Sequence, residues 1–409
     1  MALRRSQIKT GQNRGGSGKV DYVMLFLILG LTLFGLVMVS SASVVMSKTG
    51  IGEENHYLFS QLASGFIGLV AMFIAAKIDY QVWKKVAPLM FIGSIVILLL
   101  VFVPGLKFSH NGASRWINIF GIQFQPSELM KISMIIFLAS WLEKRKNEIG
   151  DFQKVVVPFA GIVILVLGLI LIEPDMGTAT VLALTAGVMF FVAGSKMSHV
   201  FAAVGTAIGG VIVLIAAAPY RMARFTIFLN PTADKSGSGY QISQALVAIG
   251  SGGLFGLGFG RSRQKFNYLP EAATDSIFAV IAEELGLIIS CAIVFVFLLF
   301  GLRGYKISRG APDMFSRLVA TGITTWIISQ AFINILAILS LMPLTGVPLP
   351  FFSYGGTSLM MILASCGILL NISKSANQGG SDENNSIGRW NWRTYIPSFS
   401  SNRRITKKR

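Results

Sequence analysis

The chain has 409 residues, 53% of them hydrophobic and only 13% charged, with a mean hydropathy of +0.66; this balance excludes a soluble globular protein of such length and indicates a polytopic membrane protein. The net charge of +17 does not mark a nucleic-acid binder, because the 35 Lys and Arg residues form no compact basic face and most fall in alternate segments between apolar runs, a positive-inside pattern with tails suited to anionic lipid. Two cysteines and three scattered histidines argue against a disulfide framework and a structural zinc site.

A basic tail, residues 1–20, precedes the first apolar run. Ten runs are predicted at 21–43, 57–76, 86–104, 127–142, 154–173, 175–194, 198–218, 275–301, 317–341 and 351–373, most of them near the roughly 20 residues that cross about 30 Å of hydrocarbon. They are continuously apolar rather than alternating, so the expected fold is an all-α polytopic membrane protein of about ten transmembrane helices, not a barrel. No signal peptide is evident: the first run lacks a small-residue cleavage site and reads as a retained span. Lys and Arg placement puts both termini in the cytoplasm, leaving 219–274 as a large extracytoplasmic loop between spans seven and eight of a 21–373 membrane domain. Residues 374–409 read as a disordered basic tail, in which Arg389-Trp390-Asn391-Trp392-Arg393 is either solvated or an interfacial anchor. Cys291 and Cys366 fall within spans as packing residues.

Polar clusters interrupt this pattern in four places. Before span four stand Asn111-Gly112-Ala113-Ser114-Arg115-Trp116-Ile117 and Gln125-Pro126-Ser127-Glu128-Leu129-Met130-Lys131. Pro126 suits a helix start, and Glu128 and Lys131 share one helix face. They are either a structural ion pair or, with Arg115, a receiver for a substrate anion in which Glu128 fixes Lys131. Glu173-Pro174-Asp175-Met176-Gly177 reads mainly as turn and cap chemistry. The 219–274 segment carries Arg221, Arg224 and the glycine-rich run Gly250 to Gly260, followed by Arg261, Arg263 and Lys265; exposed N–H groups beside cations can cradle an anion, and although such a stretch is more often ordinary re-entrant or amphipathic loop packing, its position directly before the acidic helix favours the cradle.

The fourth cluster runs from Leu269 to Gly286 and places Glu271, Asp275, Glu283 and Glu284 at the mouth and upper turns of an apolar helix. Acids at a membrane edge are functional candidates because ionised groups in hydrocarbon are costly. Asp275 can be a helix N-cap or a general base. Glu283 and Glu284 lie about 12 Å deeper on a continuous helix; Glu283 is the better candidate for facing a cavity and Glu284 for pairing with another span.

These blocks, together with Arg224-Phe225, Asn230-Pro231, Gly239-Tyr240-Gln241, Gln264-Lys265 and Pro343 through Ser358, resemble in order and spacing the SEDS proteins of bacterial cell-wall synthesis, the FtsW, RodA and SpoVE group. Val37 to Ser43 is more similar to the division-type FtsW branch. The resemblance implies a glycosyltransferase that polymerises lipid II, an undecaprenyl-diphosphate-linked disaccharide pentapeptide, by inverting transfer at the outer face of the cytoplasmic membrane, at the division septum. It maps the family's essential acid onto Asp275, although Ala273 stands where a His is common and Ser276 where a Phe is common. Residues expected to bind substrate are Arg115, Trp116, Glu128, Lys131, Arg221, Arg224, Arg261, Lys265 and Glu283. Acids beside a diphosphate suit Mg²⁺ or Mn²⁺, but no ligand set is legible. The implied partners are a class B penicillin-binding transpeptidase, division proteins and membrane lipids. A lipid II flippase and a non-catalytic division scaffold are the rival readings; the outward concentration of polar clusters favours the enzyme.

Overall fold

The computed structural model describes residues 19–50, 56–103, 107–110, 113–119, 122–216, 219–230, 237–266 and 268–382; the basic tail through residue 18 and the Arg389 to Arg393 cluster lie outside them. Ten helices coincide with the ten predicted runs: α1 Tyr22–Gly50, α2 His56–Lys77, α3 Tyr80–Leu99, α4 Pro126–Lys144, α5 Val157–Ile172, α6 Met176–Val192, α7 Met197–Ala216, α10 Ile277–Arg309, α11 Met314–Ile338 and α12 Gly356–Asp382. Among the described residues seven helices are long and apolar enough to cross a membrane, and α6 is apolar but shorter. Two further helices, α8 Pro219–Leu229 and α9 Ser238–Gly252, occupy the segment expected to be a loop. Helix α12 continues past the predicted span end at 373.

Helix ends follow their sequence signals. Asp175 caps α6 by accepting from the Thr178 N–H, and Pro126 opens α4. Asp313 and Ser316 form a reciprocal capping box at α11, which satisfies two backbone donors. One end of the bundle is held by Asp21, which accepts from Arg303 of α10 at 2.8 Å, and by Tyr80, whose hydroxyl donates to Asp313 at 2.8 Å. Helix α11 packs on α4, α6, α10 and α12 and carries Asn334 about 30 Å away from that end.

The segment between α3 and α4, read from sequence only as a polar cluster, is a three-stranded antiparallel meander: β1 Lys107–His110, β2 Ala113–Ile119 and β3 Ile122–Phe124. Ile117 pairs with both Lys107 and Phe124. Strand alternation puts Arg115 and buried Ile117 on one face and Trp116 on the other.

Helix α10 is not the continuous span expected. It breaks at Gly286, where φ is 79° and ψ is −179°. The chain after α9 fills the break: Leu257 and Gly258 N–H donate to the carbonyls of Glu283 and Glu284 at 3.0 Å, and Leu287 N–H donates to Gly253 at 2.9 Å. A broken helix at membrane depth is tolerated when protein satisfies its freed backbone groups in this way. A Cβ at Gly286 would stand 2.4 Å from the Gly256 nitrogen, on a backbone conformation that L side chains rarely adopt. Gly286→Ala is therefore expected to destabilise the fold by at least about 2 kcal/mol, read as a lower thermal midpoint in detergent; an unchanged midpoint would contradict the packing described.

Candidate active site

Asp275 lies in a turn, 271–276, at the end of the bundle opposite Asp21 and Asp313. Glu271 starts the turn with a left-handed φ of 53°; its carbonyl accepts from the N–H groups of Thr274 at 3.1 Å and Ser276 at 3.0 Å, and its carboxylate from the Thr274 hydroxyl at 2.6 Å. The N-cap position of α10 is Ser276, so Asp275 stands outside the helix and the cap alternative falls away. Four contacts from other elements hold the turn. Tyr354 N–H donates to the Ala273 carbonyl at 2.8 Å, the Ser353 hydroxyl to Thr274 at 2.6 Å, Asn334 Nδ2 to Asp275 at 2.8 Å, and Gln241 Nε2 to the Ser276 hydroxyl at 3.0 Å. Among the described residues no hydrogen-bond donor meets the Asp275 carboxylate.

Two cationic and two acidic side chains act on it. Arg115, half-buried on β2, donates through Nε to the Glu173 carbonyl at 3.3 Å and through Nη2 to the Pro174 carbonyl. Gly346, with φ +69°, separates Arg115 from Asp275: a Cβ there would lie 3.4 Å from Asp275 Oδ2 and 4.0 Å from Arg115 Nη1. Arg224 of α8 donates to the Leu344 carbonyl at 3.2 Å. The crowding of protein around Asp275 pushes its carboxyl up to about 7; Glu271 and Asp175 add to the rise, while Arg115 and Arg224 oppose it. The residue as a whole keeps part of its surface accessible. Glu173 is raised to about 8 by burial and by Asp175, against Arg115.

Other expected site residues lie elsewhere. Lys131 and Glu128 form a buried ion pair at 2.9 Å, with side chains 1% and 2% exposed. Lys131 also donates to Gln330 at 2.9 Å and sits over the Trp326 ring. This geometry supports the structural side of the two readings. The anion cradle expected at Lys265 is corrected: its ammonium is spent on Glu284 at 2.8 Å, the Gly260 carbonyl at 2.8 Å and Ser41 at 3.1 Å, which uses all three donors. Within the glycine run, Gly252 and Gly256 pack closely against the α10 backbone at Ala282 and Glu284, beside the break. Glu283, expected to face a cavity, is buried and accepts from the Ser262 hydroxyl and from Arg263 N–H at 2.9 Å. Glu284 does pair with another span, through Ser41 of α1 at 2.8 Å. Arg261 is exposed on the same loop. Trp116 is half-buried beside Arg115, and Arg221 lies one turn before Arg224 on α8, its side chain outside the described residues.

Sequence reasoning gave no role to Asn334, Ser353, Gln241 or Gly346. Of these only Gly346 had a signal, the Pro- and Gly-rich block 343–356 that links two apolar spans. Among the described residues no group of three or more His, Cys, Asp or Glu could hold a metal ion.

Fold and site together define a multi-pass membrane protein with a polar, acid-bearing site at one end of its helical bundle. The chain belongs to the FtsW/RodA/SpoVE family of cell cycle proteins, whose model matches residues 22–378. Stage V sporulation protein E of Bacillus subtilis (strain 168) is 42% identical over 355 residues, covering 87% of this chain and 97% of that protein. A probable peptidoglycan glycosyltransferase FtsW of Geobacter sp. (strain M18) is 41% identical over 353 residues, 86% of this chain and 96% of its own. Among solved structures, a chain from work on the structural coordination of polymerization and crosslinking by a peptidoglycan synthase complex matches with a TM-score of 0.73 at 26% identity, covering 87% of this chain and 98% of that one. The rod shape determining protein RodA of Thermus thermophilus matches with a TM-score of 0.64 at 27% identity, over 87% and 96% of the two chains.

Proposed function

We propose that this protein is a peptidoglycan glycosyltransferase of the cytoplasmic membrane that polymerises lipid II on the outer face during cell division, with Asp275 as general base. The observation that carries the reading is a carboxylate that meets no hydrogen-bond donor among the described residues and faces a guanidinium across Gly346. A hydroxyl of the acceptor sugar gives its proton to Asp275 as its oxygen bonds to the donor's anomeric carbon. The bond from that carbon to the diphosphate breaks, and its electron pair leaves with the diphosphate. Arg115 and Arg224 supply the positive field for that charge. No acid is needed at the leaving group, so one carboxylate suffices, and base catalysis of this kind contributes about 10²- to 10⁴-fold. A divalent ion, when bound, would add further charge to the diphosphate.

The class of partner that fits is a penicillin-binding transpeptidase, which would cross-link the strands; the solved synthase complex among the structural relatives supports this. Purified protein given lipid II is expected to produce glycan strands. Lipid II translocation across sealed vesicles without polymer would instead make it a flippase.

The pH profile carries its own test. Asp275 acts ionised, and its carboxyl titrates at about 7 rather than in the usual acid range. The initial rate is therefore expected to fall as pH drops through about 7, approaching tenfold per unit below it. A rate that holds steady down to about pH 5 would exclude Asp275 with this environment as the base.

A further inference from the structure

We propose that Asn334 is a positioning residue for Asp275, the amide by which α11 sets where the catalytic carboxylate stands. This rests on the assignment of Asp275 as base. Asn334 is 3% exposed, and its Nδ2 donates to the carbonyls of Asp275 and Val347, both at 2.8 Å. Both neighbours of that nitrogen are acceptors, so the amide orientation follows from the network. Its Oδ1 is buried with no partner among the described residues, and an acceptor left unmade is a cost in stability. The arrangement thus gives up one bond to keep both donors on the turn and the loop. Gln330, one helical turn earlier, repeats the contact: its Nε2 donates to the Pro348 carbonyl at 3.0 Å while its Oε1 accepts from Lys131. Two amides on one face of α11 therefore grip consecutive carbonyls of the loop that carries Gly346. That same loop supplies Ser353 to the Thr274 carbonyl at 2.6 Å. Because no donor among the described residues holds the Asp275 carboxylate itself, its backbone is what aims it.

The groups facing Asp275 are Glu271 of its own turn, Arg115 from β2, Asp175 at the α6 cap and Arg224 from α8. Loosening the turn admits water and moves the carboxyl back toward the ordinary acid range. The test is lipid II polymerisation by Asn334→Ala in the full chain, with kcat, KM and the pH–rate midpoint measured beside wild type and Asp275→Asn. A misplacement near 1 Å can cost about 100-fold, so kcat is expected to fall about 10- to 100-fold with KM within about twofold. The pH–rate midpoint is expected to move down by about one unit. A normal kcat, a change confined to KM, or a lower kcat with an unmoved midpoint would overturn the proposal; the last result is what simple loss of folded protein gives. Should Asn334→Ala fail to fold, Ser353→Ala carries the same expectation with a smaller loss and the same contrary results. Strands made by Asp275→Asn would show that the base assignment had failed, whereas a silent Asp275→Asn beside a wild-type-like Asn334→Ala would remove the positioning role alone.

Discussion

Asp275→Asn is expected to make no glycan strands and to be more heat-stable than wild type above pH 7. The two effects have one cause. In the folded protein the carboxyl is raised from an ordinary 3.8 to about 7, chiefly by burial. An acid with a raised folded pKa binds more protons folded than unfolded between those values, so stability falls as pH rises from about 4 to about 7 and stays low above it. Asparagine keeps the shape and removes the charge. Its advantage in thermal midpoint is therefore absent near pH 4, grows through the interval and is full by about pH 8. Because Asp275 keeps some accessible surface, the gain is about 1–2 kcal/mol rather than the full equivalent of the shift. Polymerisation, which needs the ionised base, is lost by about 10²-fold or more. A variant less stable than wild type at pH 8 would show that the carboxylate is held by a stabilising partner.

Lys131→Met is expected to unfold the protein far more readily, at a cost of about 3–5 kcal/mol. Its partner Glu128 is almost wholly buried in the first turn of α4. Removing the ammonium leaves a carboxylate with no neutralising cation, which costs more than the pair itself contributes. The double variant Glu128→Gln/Lys131→Met removes both charges and is expected to recover most of the loss, since Trp326 still donates to Gln330 at 2.8 Å. Thermal midpoints of the three variants decide it. If Lys131→Met alone melts with wild type, the ammonium is not the buried structural cation seen here.

The helices were legible in the sequence because a run of about 20 apolar residues favours a helix in a membrane: the ten runs coincide with ten helices, and among the described residues seven of them are long and apolar enough to cross. The break at Gly286 was not legible: Leu285, Gly286 and Leu287 sit in an uninterrupted apolar stretch, and the groups that satisfy the break come from Gly253 to Gly258 upstream. The same distance misled the reading of Lys265. Beside glycines and arginines it reads as an anion binder, but its partner acid is Glu284 across a fold contact. The β meander was hidden because Arg115, Trp116 and Ile117 were weighed for charge rather than for alternation. Asp275, Arg115 and Arg224 were identifiable as candidates, since charged side chains at a membrane edge demand a reason. Asn334 and Ser353 were not, because they act on backbone carbonyls, which leave no mark in a sequence.

The most direct measurement is strand synthesis from purified lipid II by the wild-type chain and Asp275→Asn in parallel, both shown to be folded, with labelled products separated by length. Strands from wild type and none from the variant are expected. Strands formed by Asp275→Asn at the wild-type rate would contradict the role of Asp275 as the base.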